Sequence, residues 1–63
     1  MNNTPREERM IWRINEEIRI AEMWIKDWDT YDDNNKIKKT WESKDNVIYY
    51  IECSKELLEE LER

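Results

Sequence analysis

The 63-residue sequence contains no glycine, no histidine and no phenylalanine, and it has a single cysteine. Without glycine, neither the phosphate-binding loop of nucleotide-hydrolysing enzymes nor the dinucleotide-binding fingerprint can be present. Without histidine, the commonest acid–base side chain near neutral pH is missing, and a structural zinc site is not expected. Cys53 cannot form an intrachain disulfide, which is typical of a reducing compartment. We therefore expect a cytoplasmic protein with no enzymatic activity, no metal and no cofactor, in which Cys53 is a half-buried structural thiol.

Acidic residues outnumber basic ones, 16 against 11, which gives a formal net charge of -5. This charge disfavours non-specific binding to nucleic acid, because such binding depends on neutralising phosphates. An acidic surface can instead contact a basic surface on another protein. No apolar run approaches the length of a membrane span, and the first nine residues lack the apolar core of a signal peptide. We expect a protein partner, without direct binding to nucleic acid or membrane.

A long first helix is predicted over residues 5–28. Thr4 can cap this helix, and Pro5 suits its first position. Apolar residues then recur in steps of three and four, which is the spacing of a helix that packs against another helix. They are Ile11, Ile14, Ile18, Ala21, Ile25 and Trp28. Residues 29–35 are rich in aspartate and asparagine and are predicted to form an acidic turn.

Two interpretations are open for the second helical region, residues 36–62. Heptad positions continue without interruption into plainly helical sequence, which predicts a second helix. These positions are Val47, Ile51, Ser54, Leu58 and Leu61. The run 47–51 is also β-prone, however, and Asp45 with Asn46 could turn a β-hairpin within residues 36–52.

The favoured fold is all-α, with residues 1–63 forming a single small domain. We expect two long helices in an antiparallel helical hairpin, joined by the acidic turn. Two helices alone bury little apolar surface, so the hairpin is expected to dimerise into a bundle. The alternative fold is α+β, with the order helix, β-hairpin, helix.

The segment Ser54-Lys55-Glu56-Leu57-Leu58 resembles the Ser-Gln-Glu-Leu-Asp motif of the small helical-hairpin aspartyl-phosphate phosphatases of the sporulation phosphorelay. Proteins of that family are similar in length and charge, so the resemblance implies a two-helix fold. Lys55 stands where the family has glutamine, and Leu58 stands where it has the aspartate on which phosphatase activity depends. The resemblance therefore implies a degenerate member without phosphatase activity.

A second apolar side is predicted on the first helix. At about 100° per residue, Trp12 and Met23 point about 160° or more away from the centre of the apolar stripe, with Ile20 between them and the core. Large apolar side chains with a charged rim are typical of protein interfaces. The predicted partner-binding residues are Trp12, Glu16, Arg19, Ile20, Met23, Trp41 and Tyr49. The alternative is that another element of the chain's own fold covers this side.

The sequence therefore favours a small acidic protein-binding module. By analogy of composition, we expect an inhibitor or regulator that covers a functional surface of its partner, of the kind that phages and mobile elements direct against host factors and host defence. An antitoxin-like protein and a purely structural homodimer are the other interpretations. The sequence leaves open whether the side with Trp12 and Met23 serves self-association or binding to a target.

Overall fold

The computed structural model describes residues 4–63, and all regular structure within them is helical. Helix α1 spans Pro5–Asp27, and a short 3₁₀ turn follows at Trp28–Thr30. Helix α2 spans Lys36–Trp41, and helix α3 spans Lys44–Leu61. The all-α prediction is confirmed. The alternative with a β-hairpin is wrong, because the segment that favours strand formation by composition lies inside α3.

Helix α1 begins at a capping box, as Thr4 and Pro5 predict. The Thr4 Oγ1 accepts a hydrogen bond from the backbone N–H of Glu7 at 3.2 Å, and the Glu7 carboxylate accepts one from the backbone N–H of Thr4 at 3.4 Å. These bonds satisfy two backbone donors that a helix start leaves without helical partners. The α-helix ends at Asp27, one residue earlier than predicted, because the chain tightens into the 3₁₀ turn there.

A break at Glu42 and Ser43 divides the second helical region into α2 and α3. Glu42 has φ 71° and ψ -40°, and the backbone N–H of Ser43 donates to the Trp41 carbonyl at 2.8 Å. This geometry is a three-residue γ-turn, which is rare because it is strained. Ser43 Oγ accepts from the backbone N–H of Asn46 at 3.3 Å and so caps α3. The prediction of a single long second helix is therefore corrected.

The core lies between α1 and α3. Its buried side chains are Ile18 and Ala21 from α1 and Val47 and Ile51 from α3. Ala21 and Val47 are fully buried, and both are small residues that allow the two helices to approach closely. Half-buried apolar side chains surround these four; they are Ile14, Trp24, Ile25, Trp28, Trp41, Tyr50 and Leu58. The heptad spacing therefore predicts the buried face of each helix correctly.

Two ion pairs join α1 and its 3₁₀ turn to α3. The Lys55 ammonium lies 3.7 Å from the Glu22 carboxylate, and the Lys44 ammonium lies 3.9 Å from the Asp29 carboxylate. Exposed pairs of this kind contribute little to stability, between zero and about 1 kcal/mol. They do locate the helices, because the contact between Asp29 and Lys44 places the end of α1 beside the start of α3. Within residues 4–63, no helix is both long enough and apolar enough to cross a membrane.

Candidate interaction surfaces

The described residues include seven large apolar side chains that are exposed, namely Met10, Trp12, Ile20, Met23, Ile48, Tyr49 and Leu57. Single exposed apolar residues are normal, but apolar residues grouped on one face of a helix mark a candidate binding surface. The largest group is on α1. We call Trp12, Ile20 and Met23 the α1 outer face.

The α1 outer face lies on the side of the helix away from most of the core. Trp12 is 67% exposed and Met23 is 52% exposed. They are eleven residues apart, or about 16 Å along the helix axis, and they point in nearly the same direction. Between them, the Arg19 guanidinium donates a hydrogen bond to the Glu16 carboxylate at 2.7 Å. The surface therefore consists of two large apolar side chains separated by a neutralised charge pair.

The structure does not bring all of the predicted site residues onto this face. Ile20 is 40% exposed and forms its edge. Trp41 is half-buried and packs against the core, so it lies beside the face rather than on it. Tyr49 is about 160° away from the buried Val47 around α3, which places it on the side of α3 opposite α1. Tyr49 therefore cannot form one continuous surface with Trp12.

A shallow aromatic groove adjoins the α1 outer face at Ile20. Its lining residues are Glu17, Ile20, Trp24, Trp41 and Tyr50, and we call it the aromatic groove. The ring centroids of Trp24 and Trp41 are 5.9 Å apart, and those of Trp41 and Tyr50 are 5.0 Å apart, with tilted planes. Such separations are typical of favourable aromatic pairs. Trp41 reaches this position because it is the last residue of α2, directly before the γ-turn.

The carboxylate of Glu17 is hydrogen-bonded at the edge of the groove. Tyr50 Oη donates to Glu17 Oε2 at 2.5 Å, and Arg13 Nε donates to Glu17 Oε1 at 3.3 Å. The hydrogen bond from Tyr50 is the main cause that lowers the pKa of Glu17 from its ordinary 4.5. Burial opposes it, and the hydrogen bond and charge of Arg13 lower the pKa further. The hydrogen bond between Tyr50 and Glu17 also raises the pKa of Tyr50 above its ordinary 10.0. At neutral pH the groove therefore holds an ionised carboxylate, paired with Arg13, beside a neutral tyrosine.

Sequence periodicity missed the roles of Glu17 and Tyr50. These two residues are 33 positions apart, so their pairing depends on how α1 and α3 pack. The sequence signal that was available is modest, namely that polar and aromatic residues flank the apolar stripes of both helices. That signal does not identify which residue of α1 contacts which residue of α3.

One cluster of acidic residues lies on α3, away from the α1 outer face. Residues 52–62 contain five glutamates against one lysine, and they form the C-terminal half of α3 with the residue that follows it. Trp12 shares a shallow depression with Glu8, Arg9 and Arg13. The border of Trp12 therefore carries charges of both signs, and the C-terminal half of α3 is the more uniformly acidic surface.

Cys53 is exposed, so the prediction of a half-buried thiol is wrong. It lies about 120° from Val47 around α3, and neither α1 nor α2 covers that side. In the segment 54–58, Leu58 packs against the core and Lys55 pairs with Glu22, so both have structural contacts. No group of three or more metal-binding side chains occurs in the part of the chain that the structure describes.

Comparison with known proteins finds no family model, no curated protein and no solved structure that matches the chain. The resemblance to the sporulation phosphatases therefore rests on Ser54, Glu56 and Leu57, together with the similar length and charge. The two exposed features, the α1 outer face and the aromatic groove, are the basis for a functional proposal.

Proposed function

We propose that this protein is a non-enzymatic binding module that docks on another protein through the α1 outer face. The observation that carries the proposal is the exposure of Trp12 and Met23 on a helix whose opposite side already packs against α3. Tryptophan and methionine are enriched at protein interfaces, and tryptophan is among the residues that most often dominate binding energy. Burying these two side chains on a partner removes a large apolar area from water.

The mode of action in this proposal is steric. A partner that receives α1 has the corresponding surface covered, so the module acts as an inhibitor or regulator, of the type that phages and mobile elements use against host factors. The glutamates of residues 52–62 give the module a negative end, which accelerates encounter with a basic surface. The chain carries no histidine, in keeping with an action that depends on binding alone.

The proposal includes an antiparallel helical hairpin formed by α1 and α3. The ion pair between Asp29 and Lys44 supports this arrangement, because it joins the end of the α1 segment to the first residue of α3. In a hairpin each long helix has one neighbour, so the outer face of α1 stays free for a partner. The linking segment, including α2, then closes one end of the core with Trp41.

The experiment that tests this function replaces Trp12 with glutamate. Tyr49→Glu is the matched control, because Tyr49 is 69% exposed and lies on the far side of α3. A partner captured from host cells is purified, and its dissociation constant is measured with each variant. We expect Trp12→Glu to weaken binding by about 30-fold or more, which corresponds to about 2 kcal/mol, and Tyr49→Glu to leave it unchanged. Equal affinity of wild type and Trp12→Glu would refute the proposal.

Self-association through a different side of the hairpin is the second candidate. Met10 and Leu57 are 43% and 50% exposed. Glu17 and Tyr50 are hydrogen-bonded across the two helices. Met10 lies seven residues before Glu17, and Leu57 lies seven residues after Tyr50. In an antiparallel hairpin both are therefore about two turns from that pair, toward the same end of the hairpin and on the same side. A second copy that covers this side would complete a four-helix bundle.

The mass in solution tests the dimer separately from target binding. Light scattering after size exclusion should give twice the chain mass of 8.0 kDa for wild type and Tyr49→Glu. Leu57→Glu places a charge on the proposed dimer side and should give the monomer mass. A wild-type monomer at high micromolar concentration, or a dimer that Leu57→Glu leaves intact, would contradict this assembly.

A further inference from the structure

We propose that the aromatic groove binds an arginine side chain of the partner protein. The inference rests on the proposed function, because the groove adjoins the α1 outer face through Ile20. In this proposal the partner presents an arginine side chain beside Ile20.

The walls of the groove suit a flat cation. Trp24, Trp41 and Tyr50 contribute aromatic rings, and a cation over the face of an aromatic ring is attracted by the ring quadrupole. The molecule contains one such contact elsewhere, since the Lys38 ammonium lies 5.8 Å from the centre of a Trp28 ring. The guanidinium group of arginine is planar and weakly hydrated, so it stacks on aromatic rings more readily than an ammonium group does.

Glu17 supplies the counter-charge. Its Oε2 is held by Tyr50, and its Oε1 accepts the hydrogen bond from Arg13. The side chain of Arg13 is 80% exposed, and that of Glu17 is 43% exposed, so the ion pair between them is accessible to solvent. Exposed pairs of this kind are worth little, and an incoming guanidinium can replace Arg13 at small cost. Arg13 therefore marks the position at which a partner's arginine bonds to Glu17.

Charge decides between arginine and a neutral side chain of the same shape. Citrulline keeps the planar group and its ability to stack, but it lacks the positive charge. The Glu17 carboxylate and the net charge of -5 both favour the cation. A charge-assisted hydrogen bond to a carboxylate is roughly twice as strong as a neutral one. The groove should therefore discriminate strongly between the two.

Titration with N-acetyl-arginine amide, monitored by nuclear magnetic resonance, tests the proposal. The chain has four tryptophans, whose indole N–H signals can be assigned by single substitutions. We expect the signals of Trp24 and Trp41 to shift saturably, while the signal of Trp12 stays in place. N-acetyl-citrulline amide should bind at least about tenfold more weakly, a difference of about 1.4 kcal/mol. Equal binding of the two probes, or equal shifts of all indole signals, would overturn the proposal.

Two variants test the role of the carboxylate. Glu17→Gln should weaken binding of the arginine probe by about tenfold, since it removes the charge and keeps the shape. Arg13→Gln frees Glu17 Oε1 from its internal partner and should strengthen binding a few-fold, an effect that a purely structural role of Glu17 would not produce. If Glu17→Gln fails to fold, Arg13→Gln decides the matter alone, because Arg13 is largely exposed. Weaker binding by Arg13→Gln would count against the proposal.

The failure of this inference can be distinguished from the failure of the proposed function. Arginine binding in the groove together with an unchanged partner affinity for Trp12→Glu would reject the α1 outer face and retain the groove. Partner binding that depends on Trp12, with no saturable shift of Trp24 or Trp41, would retain the docking face and reject the groove.

Discussion

Replacing Glu42 with glycine should stabilise this protein, although glycine destabilises most helical segments. Glu42 holds φ 71° and ψ -40° in the γ-turn between α2 and α3. A residue with a Cβ atom in such a sparsely populated conformation costs about 1–3 kcal/mol, and glycine adopts positive φ without that cost. The greater freedom of glycine in the unfolded chain offsets about 0.5–1 kcal/mol of the gain. We therefore expect a net stabilisation of up to about 2.5 kcal/mol, with a central value near 1 kcal/mol.

Thermal and urea unfolding, followed by circular dichroism, measure this change. For a domain of this size, 1 kcal/mol corresponds to a shift of about 4–8 °C in Tm. The matched control is Glu56→Gly, which makes the same substitution at an exposed position inside α3. The control should destabilise the protein by about 1 kcal/mol, because its backbone is helical. The two variants should therefore change stability in opposite directions.

A loss of stability in Glu42→Gly equal to that in Glu56→Gly would refute this reasoning. Residue 42 would then be helical in solution, and α2 and α3 would form one continuous helix, as the heptad spacing predicts. The turn that holds Trp41 against Trp24 and Tyr50 would be absent. The aromatic groove would be lost with it.

Three further predictions concern single side chains. Tyr50→Phe should lower the free energy of unfolding by about 1 kcal/mol at neutral pH. Folding lowers the pKa of Glu17 and raises that of Tyr50, so the difference in unfolding free energy should be present between their ordinary pKa values of 4.5 and 10.0. It should vanish as the pH falls through the folded pKa of Glu17, and also as the pH rises through that of Tyr50. A difference in urea unfolding that persists unchanged below the folded pKa of Glu17 and above that of Tyr50 would contradict the pairing. In the same assay, Val47→Ala should lower the free energy of unfolding by about 2 kcal/mol, and Tyr49→Ala should lower it by less than about 0.5 kcal/mol. Equal losses of stability would contradict the assigned core. Cys53 should react with a thiol reagent in the native protein at a rate within about tenfold of its rate in denaturant. A much slower reaction in the native protein would show that the thiol is covered.

Local sequence patterns are sufficient to predict the helical class, the start of α1 and the buried face of each long helix. These features depend on interactions between residues that are close in the chain. The capping box at Thr4 and Glu7 spans three residues, and the apolar spacing that marks Ile18 and Val47 is a property of one helix at a time. Local patterns of this kind can be read without knowing how the helices pack.

The features on which the functional proposals depend are set by how the helices pack. Glu17 meets Tyr50 across 33 residues because α1 and α3 pack in one particular rotation and register. Trp41 reaches the groove because the chain turns at Glu42, which has positive φ, before Ser43 caps α3; hydrophobic spacing does not reveal this local turn. The exposure of Cys53 depends equally on which side of α3 receives a neighbour. Contacts between distant residues are set by packing geometry, and the sequence pattern leaves that geometry open.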